Sequence, residues 1–277
     1  MKNWYKIESK AGDRAEIWIY DEIGEDYWTG GGVTAKSFQK DLAAVKASQI
    51  DLHINSPGGN VFDGIAIYNL LKQHPATITT YIDGIAASIA SVIALSGDTV
   101  QMAENALFMI HNPSGVVMGT ATDMRDFADT LDKVAGSLIT TYTGKTEHKE
   151  DEITSWMEAE TWFNADEAFE AGFIDEITDR VDMAACAKFA PVMAKAGFKN
   201  VPEILTPKAT LTPKDAEKAL RDAGFSRKQA KVVIAKGFGE SQRDVDDEPQ
   251  RDVAQPKPID SVAALLLRAE LVAPTKV

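Results

Sequence analysis

A chain of 277 residues, 44% of them hydrophobic, can bury one large core, or a core plus an appendage. Its formal net charge of -13 argues against a nucleic-acid partner, because phosphate binding needs clustered Lys and Arg. The single cysteine, Cys186 in the small-residue stretch MAACAKFA, excludes an intramolecular disulfide framework and fits a reducing cytosol.

The N-terminus, MKNWYKIESKAGDRAEIWIYDEIG, has no apolar h-region, so no secretory signal is expected. The longest apolar run, residues 85–95, is shorter than the roughly 20 residues a membrane helix requires. A cytoplasmic protein without membrane partners is the expectation. AEIWIY at 15–20 alternates as a strand does, and TGGG at 29–32 marks a turn. Phe38, Leu42 and Val45 then recur at helical spacing. IDLHI at 50–54 is a β-rich run that stops at the turn NSPGG. Ile65, Ile67, Leu70 and Leu71 belong to a helix that meets an X-Pro break at His74-Pro75.

ATITTYI at 76–82 predicts a strand, and the small residues after Gly84 predict a helix. Strands DTVQM and LFMIH follow, then a Gly-containing loop and a long helix over 122–142. Strand and helix alternate, which implies an α/β fold of βαβ units around a largely parallel sheet. This domain closes near GFIDEITD at 172–179, giving a first domain of 1–180 and a linker of 181–206. Residues 207–239 read as a helical hairpin: Thr212 caps, Pro213 suits the first helical position and Gly224 suits the stop. Ser226 and Gln229 form a capping-box pattern before a helix that Gly237 ends. Residues 240–258 are charged, contain Pro and read as a disordered linker. Residues 259–277 hold a short amphipathic helix and a tail.

The run YIDGIAASIASVIALSG places Ser88 and Ser91 among very small residues. A serine becomes a nucleophile when a base takes its proton and donors hold the oxyanion. A tight helix crossing would select the same small side chains, so this stretch alone fits both readings. His111 ends an apolar strand and leads into a loop, where βαβ proteins place functional groups. A histidine satisfied within the core would read the same way. In INSPGG, Gly58 and Gly59 allow a close substrate approach, and Gly59 could aim its N–H at a developing oxyanion. A plain strand-to-helix turn is the alternative there. A base also needs a third group to fix its tautomer, and an acidic chain offers too many carboxylates to choose by pattern.

INSPGGNVFDGIAIYNLL, DGIAASIASVIALSG, ALFMIHNPSG, GTATDM and FNADEAFEAGFIDEI, taken in order over residues 15–178, resemble the Clp peptidase family. The resemblance implies a ClpP/crotonase-type fold and a Ser–His–acid triad, with Ser88 as nucleophile and His111 as base. The family's usual aspartate corresponds here to Glu160, whose extra methylene the backbone must accommodate; Glu158 and Asp166 are the alternatives. It also implies oxyanion donors at Gly59 and Ile89, and a substrate strand lying against Pro113, Ser114, Gly115 and Val116. Neither a metal nor an organic cofactor is implied, and the chain lacks G-x-x-x-x-G-K-[ST], so any ATP dependence would come from a partner ATPase.

A ring-shaped homo-oligomer acting on polypeptides is the implied assembly. The C-terminal extension, α-helical and partly disordered, resembles that of phage and prophage head-maturation proteases. This implies capsid or scaffold protein as substrate, in the host cytoplasm or the procapsid. The alternatives are a degradative subunit served by an unfoldase, a non-catalytic assembly protein and, last, an acyl-CoA-binding relative.

Overall fold

The computed structural model describes residues 3–25, 32–180, 189–195, 197–202, 205, 217, 220–221 and 225–238. Strands β1 (Tyr5–Lys10) and β2 (Arg14–Ile19) pair antiparallel, from Tyr5 opposite Ile19 to Lys10 opposite Arg14. A short ribbon, β3 (Gly24–Glu25) with β4 (Gly32–Val33), leads into α1 (Ala35–Leu42). Next come β5 (Gln49–Ser56), α2 (Val61–Lys72), β6 (Thr77–Ala87), α3 (Ile89–Ala94), β7 (Thr99–Ala103) and β8 (Leu107–Ile110). The long helix α4 (Ala121–Thr146) is followed by α5 (Glu150–Glu158), β9 (Thr161–Phe163), α6 (Ala165–Glu170) and β10 (Glu176–Thr178). Helices α7 (Ala190–Lys195) and α8 (Arg227–Phe238) complete the described elements.

The main sheet runs β1-β2-β5-β6-β7-β10, with β8 on the far half of β6 and β9 on β8. Among the described residues of this sheet only the β1–β2 and β8–β9 pairs are antiparallel, so the chain has the mixed α/β architecture that strand–helix alternation implies. The strand β6 explains the small-residue run. Its first half alternates buried and half-buried residues, one face packed and the other partly open. From Gly84 to Ala87 every residue is buried, because here the strand is flanked by β5 and β8 and covered on both faces.

The strand is therefore longer than ATITTYI at 76–82 predicts: it continues to Ala87, and the helix after it spans Ile89–Ala94 with Ser88 at its N-cap. Short apolar runs do not distinguish a buried strand from a buried helix, and pairing of Ile85, Ala86 and Ala87 with Leu107, Phe108 and Met109 decides for the strand.

The core is one cluster from Trp4 to Ile174 between sheet and helices. A second cluster joins Ile85, Ala87 and Met109 to Phe189, Met193 and Leu205. Residues expected to serve as a linker thus contribute apolar side chains to a packed layer. Each such side chain contributes about 1.5–3 kcal/mol when fully buried.

By contacts the chain divides into residues 1–207 and 208–277. In the second unit, the Ser226 hydroxyl donates to Gln229 Oε1 at 2.7 Å and accepts the Gln229 N–H at 3.4 Å, capping α8. Thr212, Pro213, Gly224, Cys186, the 240–258 stretch and the 259–277 helix and tail lie outside the described residues. Among the described residues, no helix is long and apolar enough to cross a membrane, and no group of three or more His, Cys, Asp or Glu could hold a metal ion.

Candidate active site

Strands β5, β6 and β8 run parallel, so their C-terminal ends reach one edge of the sheet. Ala87 pairs with Met109, which leaves Ser88 and His111 just beyond the last paired positions. The Ser88 N–H donates to the Met109 carbonyl at 3.0 Å and fixes the corner between β6 and α3. Ser88 takes φ 56° and ψ -132°, a left-handed conformation costing a non-glycine residue about 1–3 kcal/mol. Surrounding structure holds it there. Ser91 Oγ donates to the Ser88 carbonyl at 2.5 Å and receives the buried Tyr142 hydroxyl at 2.7 Å. Burial pushes the Tyr142 hydroxyl far above its ordinary pKa, so it remains a donor. This chain from α4 to the corner gives Ser91 a structural task, and Tyr142 was not signalled by any local motif.

The His111 ring lies with Nε2 2.7 Å from Ser88 Oγ, the separation a proton transfer needs. The other histidines have different surroundings: His53 meets Asp83, His74 Nδ1 accepts the Ala76 N–H and His148 meets Glu152. Burial pushes the His111 imidazole below its usual range, and the negative charge of Glu160 acts weakly in the opposite direction.

After β5, the turn Pro57–Gly59 folds against the same corner. Gly58 has φ +99°, and a Cβ there would lie 2.6 Å from Ser88 Cβ, so only glycine permits this approach. The bridge to Ile23 uses the Gly58 carbonyl and the Asn60 N–H, leaving the Gly59 N–H outside it. Gly59, Ser88, Ile89 and His111 line one cavity of about 910 Å³. Pro113, Ser114, Gly115 and Val116 line it as well, on an extended loop where Val116 is 90% exposed.

The acidic position is arranged differently from a completed triad. Ile110 pairs with Thr161, so Glu160 follows naturally as the neighbour of His111 at the sheet edge. Its carboxylate, however, accepts the Lys199 N–H at 2.8 and 3.1 Å and the Asn200 N–H at 2.7 Å. Among the described residues no hydrogen bond joins Glu160 to His111. Glu158 also lines the cavity, whereas Asp166 lies on α6 outside its lining. Sequence reasoning missed Phe198, whose ring stacks on His111 at 5.0 Å. Its sole signal was an aromatic residue in the otherwise small and polar stretch AKAGFKN.

A family model described as Clp protease matches residues 1–181. A proteolytic subunit 1 of ATP-dependent Clp protease from Protochlamydia amoebophila is 32% identical over 188 residues, covering 64% of this chain and 90% of its own. A proteolytic subunit 3 from Rhodococcus jostii is 34% identical over 152 residues, covering 54% of this chain and 72% of its own. A ClpP1 mutant from Listeria monocytogenes superposes with a TM-score of 0.51 at 23% identity, over 60% of this chain and 92% of that one, a likeness of fold.

Proposed function

The chain belongs to the Clp protease family, and from that premise we propose that it is a serine endopeptidase that cleaves phage capsid or scaffold protein during procapsid maturation. Ser88 is the nucleophile, and His111 takes its proton as Oγ attacks the peptide carbonyl. The Gly59 and Ile89 N–H groups receive the tetrahedral oxygen. His111 then protonates the leaving amine, and a water molecule activated by the same imidazole releases the acyl group. Glu160 is the third member, orienting the ring when its carboxylate reaches Nδ1. The observation carrying this reading is the 2.7 Å contact between His111 Nε2 and Ser88 Oγ in a polypeptide-sized cleft.

Ring assembly of identical subunits belongs to the same proposal, as does a targeting role for the residues beyond the family match, which stops at residue 181 of 277. A second reading has support in the relatives' names: a subunit that degrades polypeptides delivered by an ATPase. Incubating the wild type and Ser88→Ala with the candidate major capsid protein, then mapping fragments by mass spectrometry, separates the two. Discrete serine-dependent cuts are expected for maturation. An intact capsid protein, with short peptides still hydrolysed, would transfer the assignment to the degradative reading.

The proposal also fixes a pH dependence. Only neutral imidazole can accept the Ser88 proton, so activity falls as His111 becomes protonated. Burial lowers its pKa, which places the acid limb of kcat/KM for a short peptide below the ordinary histidine value of 6.5. An acid limb above 6.5 would show that a different group, or a more hydrated His111, controls the reaction.

A further inference from the structure

The segment after α7 lies against the catalytic corner in three ways. The backbone N–H groups of Lys199 and Asn200 occupy the Glu160 carboxylate. The Asn200 side chain donates to the Ala159 carbonyl at 2.8 Å, fastening the segment to the turn that carries Glu160. Phe198 covers His111, its ring tilted only 25° from the imidazole plane, and also approaches Trp162 at 6.3 Å. Upstream, Phe189 and Met193 anchor the segment in the second apolar cluster. Val192, Phe198, Lys199 and Asn200 all line the cleft itself.

These contacts oppose what the chemistry requires. A carboxylate on Nδ1 fixes the tautomer of the base and stabilises the imidazolium formed during attack. Here the carboxylate closest in topology is engaged by charge-assisted bonds to two amides, each stronger than a neutral bond. Phe198 meanwhile keeps water from the ring and narrows the cleft beside it. Glu160 has φ +51°, so the turn holding it is itself a strained, left-handed one. Such a turn persists when surrounding contacts fix it, and the segment supplies several.

We infer that residues 197–200 form an autoinhibitory strap that keeps the Glu160 carboxylate on backbone amides and shields His111 with Phe198. The inference rests on the peptidase reading of Ser88 and His111. In the strapped arrangement Ser88 and His111 are already paired, but the imidazole lacks its carboxylate partner. Withdrawal of the strap would free both the carboxylate and the cleft.

The test uses the full chain with Phe198→Ala and, separately, Lys199→Pro, which removes one donor N–H. Phe198→Leu serves as the milder variant should alanine disturb folding. Fluorophosphonate labelling of Ser88 and hydrolysis of a short fluorogenic peptide are measured beside an NMR titration of His111. The expected result is a rise of about tenfold in both rates, a modest share of what general-base assistance supplies. The His111 titration midpoint should move upward as well. Adding Glu160→Gln to either variant should cancel the gain, an effect that mere loosening of structure would not produce. Rates that fall or stay level in folded variants, or a midpoint that does not move, overturn the strap while labelling of wild-type Ser88 keeps the peptidase reading intact. Absence of labelling in every form strikes the peptidase reading itself, and the strap with it.

Discussion

Ser88→Ala is expected to abolish fluorophosphonate labelling and to lower peptide hydrolysis by at least about a thousandfold, since removal of a nucleophile leaves only binding and oxyanion contributions. Folding and assembly should be unaffected. Among the described residues the Ser88 hydroxyl hydrogen-bonds only to His111 Nε2, whereas the corner is held by backbone groups: the Ser88 N–H to Met109 and the Ser88 carbonyl to Ser91. The neighbouring hydroxyl cannot substitute. Ser91 is buried and its Oγ lies between the Ser88 carbonyl and the Tyr142 hydroxyl, directed away from the imidazole task. Persistent labelling of the alanine variant, mapped by peptide sequencing to another serine, would remove Ser88 from its assigned role.

Gly59→Ala should be the most destructive single-methyl change in the site. Gly59 has φ +146°, and an added Cβ would lie 2.2 Å from the Ile23 carbonyl oxygen and 2.6 Å from the Ile23 nitrogen. Both obstacles are backbone atoms already bonded across the turn, Ile23 N–H to the Gly58 carbonyl at 2.7 Å and Asn60 N–H to the Ile23 carbonyl at 2.9 Å. No side chain can swing aside to make room. Backbone strain and overpacking together should cost about 3 kcal/mol or more. Denaturant unfolding measures this directly, with Gly136→Ala as the control. Gly136 lies within α4 and an added Cβ meets nothing within 4 Å, so alanine there should be neutral or slightly stabilising. Equal stability of the two variants would mean that the turn before α2 is looser than its geometry requires. Any folded Gly59→Ala protein should also lose activity, because the N–H assigned to the oxyanion moves with the turn.

How much of this could be read from residues alone varies along the chain. The strands β2, β5 and β6 announce themselves through alternation or β-branched runs, and NSPGG marks the turn after β5 without help from distant contacts. The strand β1 escaped, because YKIESK is charged and partly exposed and takes its structure from pairing with β2. The end of β6 was misread for a related reason: Ile-Ala-Ala has no period of its own, and the neighbouring strand β8 determines its conformation. The long helix extends further than its apolar spacing suggests, since the Thr120–Asp123 capping box starts it and Thr146 ends it.

From sequence, Ser88 was a candidate as a hydroxyl among unusually small residues and His111 as the end of an apolar strand; the structure ends β6 and β8 just before them, and parallel strands deliver their C-terminal ends to one place. Their 2.7 Å approach is the geometric consequence. Glu160 was chosen through family resemblance, and neither its neighbours nor its spacing revealed where its carboxylate would bind. The partners it finds are 39 and 40 residues away, and they are backbone amides. Side-chain chemistry and local periodicity are written into the sequence and carry the strands, the glycine turn, the serine and the histidine. An amide N–H is the same in nearly every residue, so which two amides meet a given carboxylate, and which aromatic ring covers a given imidazole, is decided only when the folded chain brings them together.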